Sequence, residues 1–69
     1  MSKLKFKNVI TDNIVDAREI IMSVGRGIEK GQIDPQSAMH NLAEAMRKLN
    51  TAKDYVDREW NKNFSHTLY

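Results

Sequence analysis

The feature that most constrains the fold of this chain is the segment Gly31-Gln32-Ile33-Asp34-Pro35. Glycine readily adopts the left-handed conformation that ends many helices. Asp34 followed by Pro35 supplies the side-chain acceptor and the fixed φ angle that favour the start of a helix. Periodic apolar residues lie on both sides of this segment. The sequence therefore predicts two helices joined by a short turn, and so an all-α, antiparallel two-helix hairpin.

The first helix is predicted over residues 11–30, because apolar residues recur there at intervals of three and four, the spacing of one face of an α-helix. These residues are Ile10, Ile14, Ala17, Ile21, Val24 and Ile28. Thr11, Asp12 and Asn13 are candidates for the N-cap. The apolar stripe is predicted to be the part of this helix that lies in the core.

The second helix is predicted over residues 35–62 by a similar stripe with heptad spacing. Its members are Met39, Leu42, Met46, Leu49, Val56 and Trp60. Lys53 interrupts the stripe where another apolar residue would fit. Glu44 and Lys48 have the acid-first i,i+4 order that stabilises a helix by about 0.2–0.5 kcal/mol. These residues are predicted to complete a core with the first helix.

The size of the chain favours self-association. A domain of 69 residues is marginal, because chains below roughly 70–80 residues usually need disulfides, a metal or partner subunits in addition to their own core. The chain has no cysteine, and its two histidines, His40 and His66, have no metal-binding spacing. A homo-oligomer is therefore predicted, with no metal and no cofactor.

Two terminal segments lie outside the predicted helices, a basic arm over residues 1–10 and a tail over residues 63–69. The alternation Lys3-Leu4-Lys5-Phe6-Lys7 has the period of a strand, but it is too short to decide between strand, helix and irregular arm. The second helix is predicted to outlast the first, so Tyr55, Val56 and Trp60 need cover. Either the arm folds back over them or another subunit does.

The charge of the chain argues against a surface that coats duplex nucleic acid. The chain has eleven Lys and Arg and nine Asp and Glu, which gives a net charge of +2. Duplex binding normally needs a broad basic surface. A small anionic ligand or an acidic patch on a partner needs fewer cations. The sequence has neither a signal peptide nor an apolar stretch long enough to span a membrane. A soluble, cytoplasmic protein is therefore expected.

Catalytic residues are sparse, so an enzyme is not expected. Cysteine is absent, and neither His40 nor His66 has an evident catalytic partner in the sequence. Asp12 and Asp16 stand one turn apart, but acidic residues near a helix start are explained by the helix dipole.

Four side chains leave a structural and a ligand-binding interpretation open. Arg26 lies between Gly25 and Gly27 near the end of the first helix, where a cation either complements the dipole or contacts an anion shared between subunits. Arg18 has the same two interpretations. Phe6 is either a hydrophobic anchor or a ring that stacks on a base, and His40 is either structural or a ligand contact. The two glycines weaken the helix by about 1 kcal/mol each relative to alanine, which indicates a close approach of another backbone or a loosened turn.

The second helix resembles that of a known family. The stretch from Ser37 to Met46, with Asn50 and Ala52 after it, resembles the second helix of the hairpin domain in phage anti-defence sponges, proteins of the anti-CBASS and anti-Thoeris kind. The resemblance covers about residues 13–58. The residues on which it rests are Leu42, Glu44, Ala45, Met46, Asn50 and Ala52.

The resemblance implies a symmetric homo-oligomer, often a hexamer, whose pockets between protomers hold cyclic di- or trinucleotides without cleaving them. Combined with the cations that have no acid at the i,i+4 position, it gives a set of predicted ligand-binding residues. These are Lys5, Phe6, Lys7, Arg18, Arg26 and His40. The alternative is a small helical module that binds and inhibits a host protein. A small nucleic-acid-binding or structural helical protein is a third possibility.

Overall fold

The structure, a computed structural model, describes the backbone of residues 5–68 and the side chains of residues 5–59. It consists of two α-helices, α1 over Lys7–Glu29 and α2 over Pro35–Leu68. No strand occurs within residues 5–68. The predicted all-α architecture with two helices is therefore confirmed.

The turn between the helices has the geometry that the sequence predicts. Gly31 has a φ of 66°, the left-handed conformation that side chains disfavour. Its N–H donates to the carbonyl of Ile28 at 3.1 Å, and the N–H of Gln32 donates to the carbonyl of Gly27 at 2.8 Å. These two bonds form a Schellman motif, which satisfies carbonyls that the end of α1 would otherwise leave unpaired.

Asp34 is the N-cap of α2. Its Oδ2 accepts a hydrogen bond from the backbone N–H of Ser37 at 3.1 Å, and Pro35 occupies the first helical position. Hydrogen bonds from the side chain and the backbone of Ser37 hold the pKa of Asp34 below its usual value of 3.8. The ionised carboxylate is therefore the form that stabilises the start of this helix.

We expect Asp34→Ala to lower the melting temperature by a few degrees at pH 7, and Asp34→Asn to change it little, because asparagine caps a helix as well as aspartate does. The lowered pKa means that the contribution of the carboxylate is complete above about pH 4 and is lost as the pH falls through the folded-state pKa. Far-UV circular dichroism melts at pH 7 and at pH 3 check this. An asparagine variant with the full acid sensitivity of the wild type would contradict it.

The start of α1 differs from the prediction. The helix begins at Lys7 rather than at residue 11, with a first hydrogen bond from the N–H of Ile10 to the carbonyl of Phe6 at 3.0 Å. Asn13 is not a cap, since its Nδ2 donates to the carbonyl of Val9 at 2.9 Å within the helix. Helix propagation is favourable once a turn is formed, so the helix extends back into the predicted arm.

The segment before α1 is held against α2 at the open end of the hairpin. The backbone N–H of Lys5 donates to Oε1 of Glu59 at 3.0 Å, and Phe6 stacks on Tyr55 with ring centroids 5.0 Å apart. The last turns of α2 were predicted to be covered either by the arm or by another subunit. The arm therefore covers Tyr55. Leu4, which belongs to the arm, and Trp60, which was predicted to need cover, lie outside the described side chains.

The second helix is longer than predicted. It ends at Leu68 rather than at residue 62, so most of the predicted tail is helical. At 34 residues α2 is about 51 Å long, whereas α1 at 23 residues is about 34 Å. Because Lys5 lies beside Glu59, the last turns of α2 continue beyond the start of α1.

The helices pack along one row of small and medium side chains at heptad spacing. We call this row the alanine seam; its members are Ile10, Ala17, Val24, Ala38, Ala45 and Ala52, all of them buried. Small side chains at the contact let two helix axes approach closely. No large side chain is fully buried among the described residues, so the core within one chain is thin.

The core prediction is wrong for most of the large apolar residues. Half of the stripe of α1 is exposed, and the described part of the stripe of α2 is exposed throughout. The exposed members are Ile14, Ile21, Ile28, Met39, Leu42, Met46, Leu49 and Val56. A helix that contacts a single neighbour buries little more than one row of side chains, whereas a stripe spaced by three and four residues is about two rows wide. On α1 the second row therefore faces outward, and on α2 the whole described stripe lies beside the alanines that make the contact.

The two glycines of α1 have different surroundings. A Cβ on Gly27 would lie 3.0 Å from both Cβ and Cγ2 of Ile33, and a Cβ on Gly25 would meet nothing within 4 Å. The neighbour at Gly27 is therefore the side chain of Ile33, in the turn, rather than the second backbone that was predicted. The helix is continuous through both glycines.

Gly25→Ala is expected to stabilise the hairpin by about 0.5–1 kcal/mol, because alanine loses less backbone entropy than glycine in a helix. Gly27→Ala has the same entropic benefit, but Ile33 must move to admit the new methyl group, so this variant is expected to be the less stable of the two. Urea unfolding of both variants measures the difference. Equal stabilisation would show that Ile33 shifts without cost.

Candidate functional site

The hairpin has two different faces, one on each side of the alanine seam. On one side Lys48 reaches across from α2 to Asp16 of α1, with Nζ and Oδ2 3.6 Å apart, and its side chain is only 23% exposed. Asn41 and Tyr55 occupy the heptad position of Lys48 on α2, three residues after each seam alanine. We call this side, defined by Asp16, Asn41, Lys48 and Tyr55, the polar face.

Lys48 was predicted to pair with Glu44, but the structure pairs Glu44 with Arg47. The Nε of Arg47 donates to Oε1 of Glu44 at 3.1 Å. This hydrogen bond is the main reason that the pKa of Glu44 lies below its usual value. Because Arg47 occupies the carboxylate, Lys48 is available to link the two helices.

An open cleft lies on the polar face near the turn. Its volume is about 430 Å³, and we call it the Arg26 cleft; it is lined by Glu19, Ile20, Ser23, Arg26 and Asn41. Sites for small molecules in proteins typically have volumes of about 300–1,000 Å³. The cleft is therefore large enough for a small polar ligand, although one hairpin does not enclose it.

Two charged side chains line the Arg26 cleft, the carboxylate of Glu19 and the guanidinium of Arg26. Glu19 lies 3.8 Å from the guanidinium of Arg18, measured between Oε2 and Nη2. Arg26 forms no ion pair with any residue that the structure describes. The guanidinium of Arg26 is therefore the charged donor that remains for an incoming anion.

The neutral residues of the cleft add hydrogen-bonding groups and one apolar surface. Ser23 offers a hydroxyl, and Asn41 offers both an amide donor and an amide acceptor. Ile20 is half-buried at the floor between the helices. Together with Arg26, this set can bind a phosphate oxygen and contact the face of a ring.

A second group of cations and rings lies at the open end of the hairpin. The Nζ of Lys5 is 5.8 Å from the ring centroid of Phe6, and the guanidinium carbon of Arg58 is 5.1 Å from that of Tyr55. Phe6 and Tyr55 contact each other at an interplanar angle of 53°. Phe6 is half-buried in this contact, so within one chain it serves as the hydrophobic anchor that was one of its two predicted roles.

The six predicted ligand-binding residues do not form one site within a protomer. Arg26 lines the cleft, and His40 is exposed on α2 beside the cleft residue Asn41. Lys5, Phe6 and Lys7 lie at the open end, and Lys7 is about 28 Å from Arg26 along α1.

Arg18 lies between these two groups and is exposed beside Glu19. The six residues can therefore meet only if different protomers contribute them.

Four residues of the cleft were missed by the sequence-based prediction, namely Glu19, Ile20, Ser23 and Asn41. A signal was present, because Glu19, Ser23 and Arg26 are spaced by four and three and so share one face of α1. Asn41 could be assigned only once the register of the two helices was known.

The described residues lack both a cluster of metal-binding side chains and a helix that could span a membrane. No group of three or more His, Cys, Asp or Glu side chains in this part of the chain is arranged to hold a metal ion. Neither described helix contains a stretch with the length and apolarity needed to cross a membrane.

Comparison with protein-family models, with curated proteins and with solved structures finds no match to this chain. The resemblance of residues 13–58 to the phage sponges therefore stays a prediction.

Proposed function

We propose that this chain is a non-enzymatic binding protein that sequesters a cyclic oligonucleotide, holding it in the Arg26 cleft at boundaries between protomers of a homo-oligomer. The observation that supports this most is the state of Arg26. Its guanidinium lines an open cleft and has no ion-pair partner among the described residues. The chemistry of the cleft favours an anion that also has a ring surface.

A cyclic oligonucleotide matches this chemistry. It presents one negative charge per phosphate in a compact ring, and a guanidinium can donate two parallel hydrogen bonds to one phosphate. In a symmetric oligomer each copy contributes an equivalent Arg26, so several guanidinium groups can surround one ligand. A neighbouring protomer would also close the open side of the cleft.

Sequestration requires binding alone, so the proposal assigns no bond cleavage to any residue. The ligand is expected to be released unchanged when the protein is denatured. Chromatography of the released nucleotide checks this point. Conversion to a linear product would reject the non-enzymatic part of the proposal.

Calorimetric titration with a panel of cyclic di- and trinucleotides tests the binding itself. A linear dinucleotide of the same bases serves as the control, because it has similar chemistry without the closed ring. We expect saturable binding of at least one cyclic member and much weaker binding of its linear counterpart. No heat with any member of the panel would reject the proposed ligand class.

A second candidate function is a helical module that binds and inhibits a host protein. The exposure of large apolar side chains on both helices favours it, with Met39 at 71% and Met46 at 63%, because exposed methionines suit adaptable protein-binding surfaces. A stable complex of one hairpin with one host protein, formed by a chain that binds no cyclic nucleotide, would support this candidate over the first.

A further inference from the structure

The largest unexplained feature of the molecule is an apolar surface on the side of the alanine seam opposite the polar face. We call it the apolar face, and it consists of Ile14, Ile21, Ile28, Met39, Leu42, Met46, Leu49 and Val56. These side chains are 37–71% exposed. Large apolar patches on a folded chain usually mark an interaction site.

Helical geometry makes this face continuous across both helices. On α1 the isoleucines each follow a seam residue by four positions, as Ile14 follows Ile10. On α2 the row of Leu42, Leu49 and Val56 follows the seam alanines by the same four positions. Since Asp16 and Lys48 meet on the other side of the seam, these two rows lie next to each other.

The two rows have matching length and contain no charge. Each row spans 15 residues, from Ile14 to Ile28 and from Leu42 to Val56, and so is about 21 Å long between its ends. No acidic or basic residue occupies a position within either row. Lys53, at the edge of the face, is paired with Asp57 at 3.0 Å. Two copies of this surface can therefore meet without repulsion between like charges.

The area of the apolar face is that of a stable interface. Eight large side chains with these exposures leave on the order of 800 Å² accessible, close to what each partner buries in a standard protein interface. Among the described residues, the buried apolar side chains are the small and medium ones of the alanine seam. Most of the apolar area that could stabilise this chain is therefore outside the single hairpin.

We infer that the apolar face of one copy packs against the apolar face of a second copy, so that two hairpins form a four-helix bundle. A second copy is the occupant that fits best, because it presents two uncharged rows of the same length and the same heptad spacing, as knobs-into-holes packing requires. A two-fold axis makes such a contact self-complementary, and the Arg26 cleft, on the opposite face, then meets a neighbouring protomer where such pairs assemble further. The inference rests on the self-association in the proposed function and is independent of its ligand.

A pair of adjacent substitutions tests the interface. Ile21 is 43% exposed on the apolar face, and Met22 is 49% exposed on the outer side of α1. Light scattering without any ligand should give the wild type and Met22→Glu at least twice the chain mass of 8.0 kDa. Ile21→Glu should fall to 8.0 kDa, because it places a charge in the contact.

A milder pair keeps the test decisive if Ile21→Glu fails to fold. The chain has no cysteine, so Ile21→Cys and Met22→Cys each introduce a single thiol, which is smaller than the side chain it replaces and places no carboxylate in the contact. In a maleimide reaction, Ile21→Cys should be protected at high protein concentration and react faster after dilution. Met22→Cys should react at one rate throughout.

The outcomes separate this inference from the proposed ligand. A wild-type mass of 8.0 kDa at every concentration overturns it, and so does an assembled Ile21→Glu variant or an unprotected thiol in Ile21→Cys. Protection that appears only with a different protein present also overturns it, in favour of the second candidate function. Failure to bind cyclic nucleotides leaves these mass and labelling results unchanged, and therefore rejects only the ligand.

Discussion

Arg26→Ala is expected to weaken binding of a cyclic oligonucleotide by about 1.5–3 kcal/mol, or roughly 10- to 150-fold in affinity, the range for hydrogen bonds to a charged group. The guanidinium is the one charged donor of the cleft that no described acid occupies. Calorimetric titration of the variant beside the wild type measures the loss. The oligomer mass should be unchanged, because Arg26 lies away from the apolar face.

Arg47→Ala is the matched control for this loss. It removes the same side chain and the same charge, but Arg47 is bound to Glu44 and does not line the cleft. We expect its affinity to stay close to that of the wild type. An equal loss in both variants would mean that the ligand responds to net charge rather than to the cleft. Full affinity in Arg26→Ala would show that the ligand binds elsewhere on the oligomer.

Ala45→Leu is expected to destabilise the hairpin by about 1–3 kcal/mol, the cost of adding bulk to a packed core. Ala45 is 1% exposed in the middle of the alanine seam. A leucine there either adopts a strained rotamer or pushes the helix axes apart. Chemical denaturation followed by circular dichroism measures the change.

Ala43→Leu provides the comparison, since Ala43 is exposed on the same helix, only two residues away. Alanine and leucine have similar helix propensities, so the exposed substitution Ala43→Leu should change the free energy of unfolding by no more than about 0.5 kcal/mol. If Ala45→Leu were as stable as Ala43→Leu, the alanine seam would not be the contact between α1 and α2.

The turn and the existence of two helices could be predicted from the sequence because their causes are local. The end of α1 at Gly31 and the start of α2 at Asp34 are made by bonds between residues only three to five positions apart. The start of α1 was predicted four residues too late. The turn that precedes it packs on α2 through Phe6 and Tyr55, which are 49 positions apart in the chain, and no local pattern contains that contact.

The core was mispredicted for a different physical reason. Periodicity identifies the apolar side of a helix but not which row of that side meets the neighbour. Ala45 and Leu42 both lie on the apolar side of α2, yet Ala45 is 1% exposed and Leu42 is 37% exposed. The structure buries the smaller residue inside the chain. Among the residues that line the cleft, Arg26 could be predicted from the sequence. Assigning Asn41 to the cleft required knowledge of the register between the two helices.

The alanine seam also determines how this hairpin comes apart. Equal seven-residue spacing on antiparallel helices places Val24 level with Ala38, Ala17 level with Ala45 and Ile10 level with Ala52. Each layer is small, and each depends on the layer nearer the turn to hold the helices together. We therefore expect the layers to open one after another from the end near Glu59, so that amide protons near the turn at Gly31 exchange last.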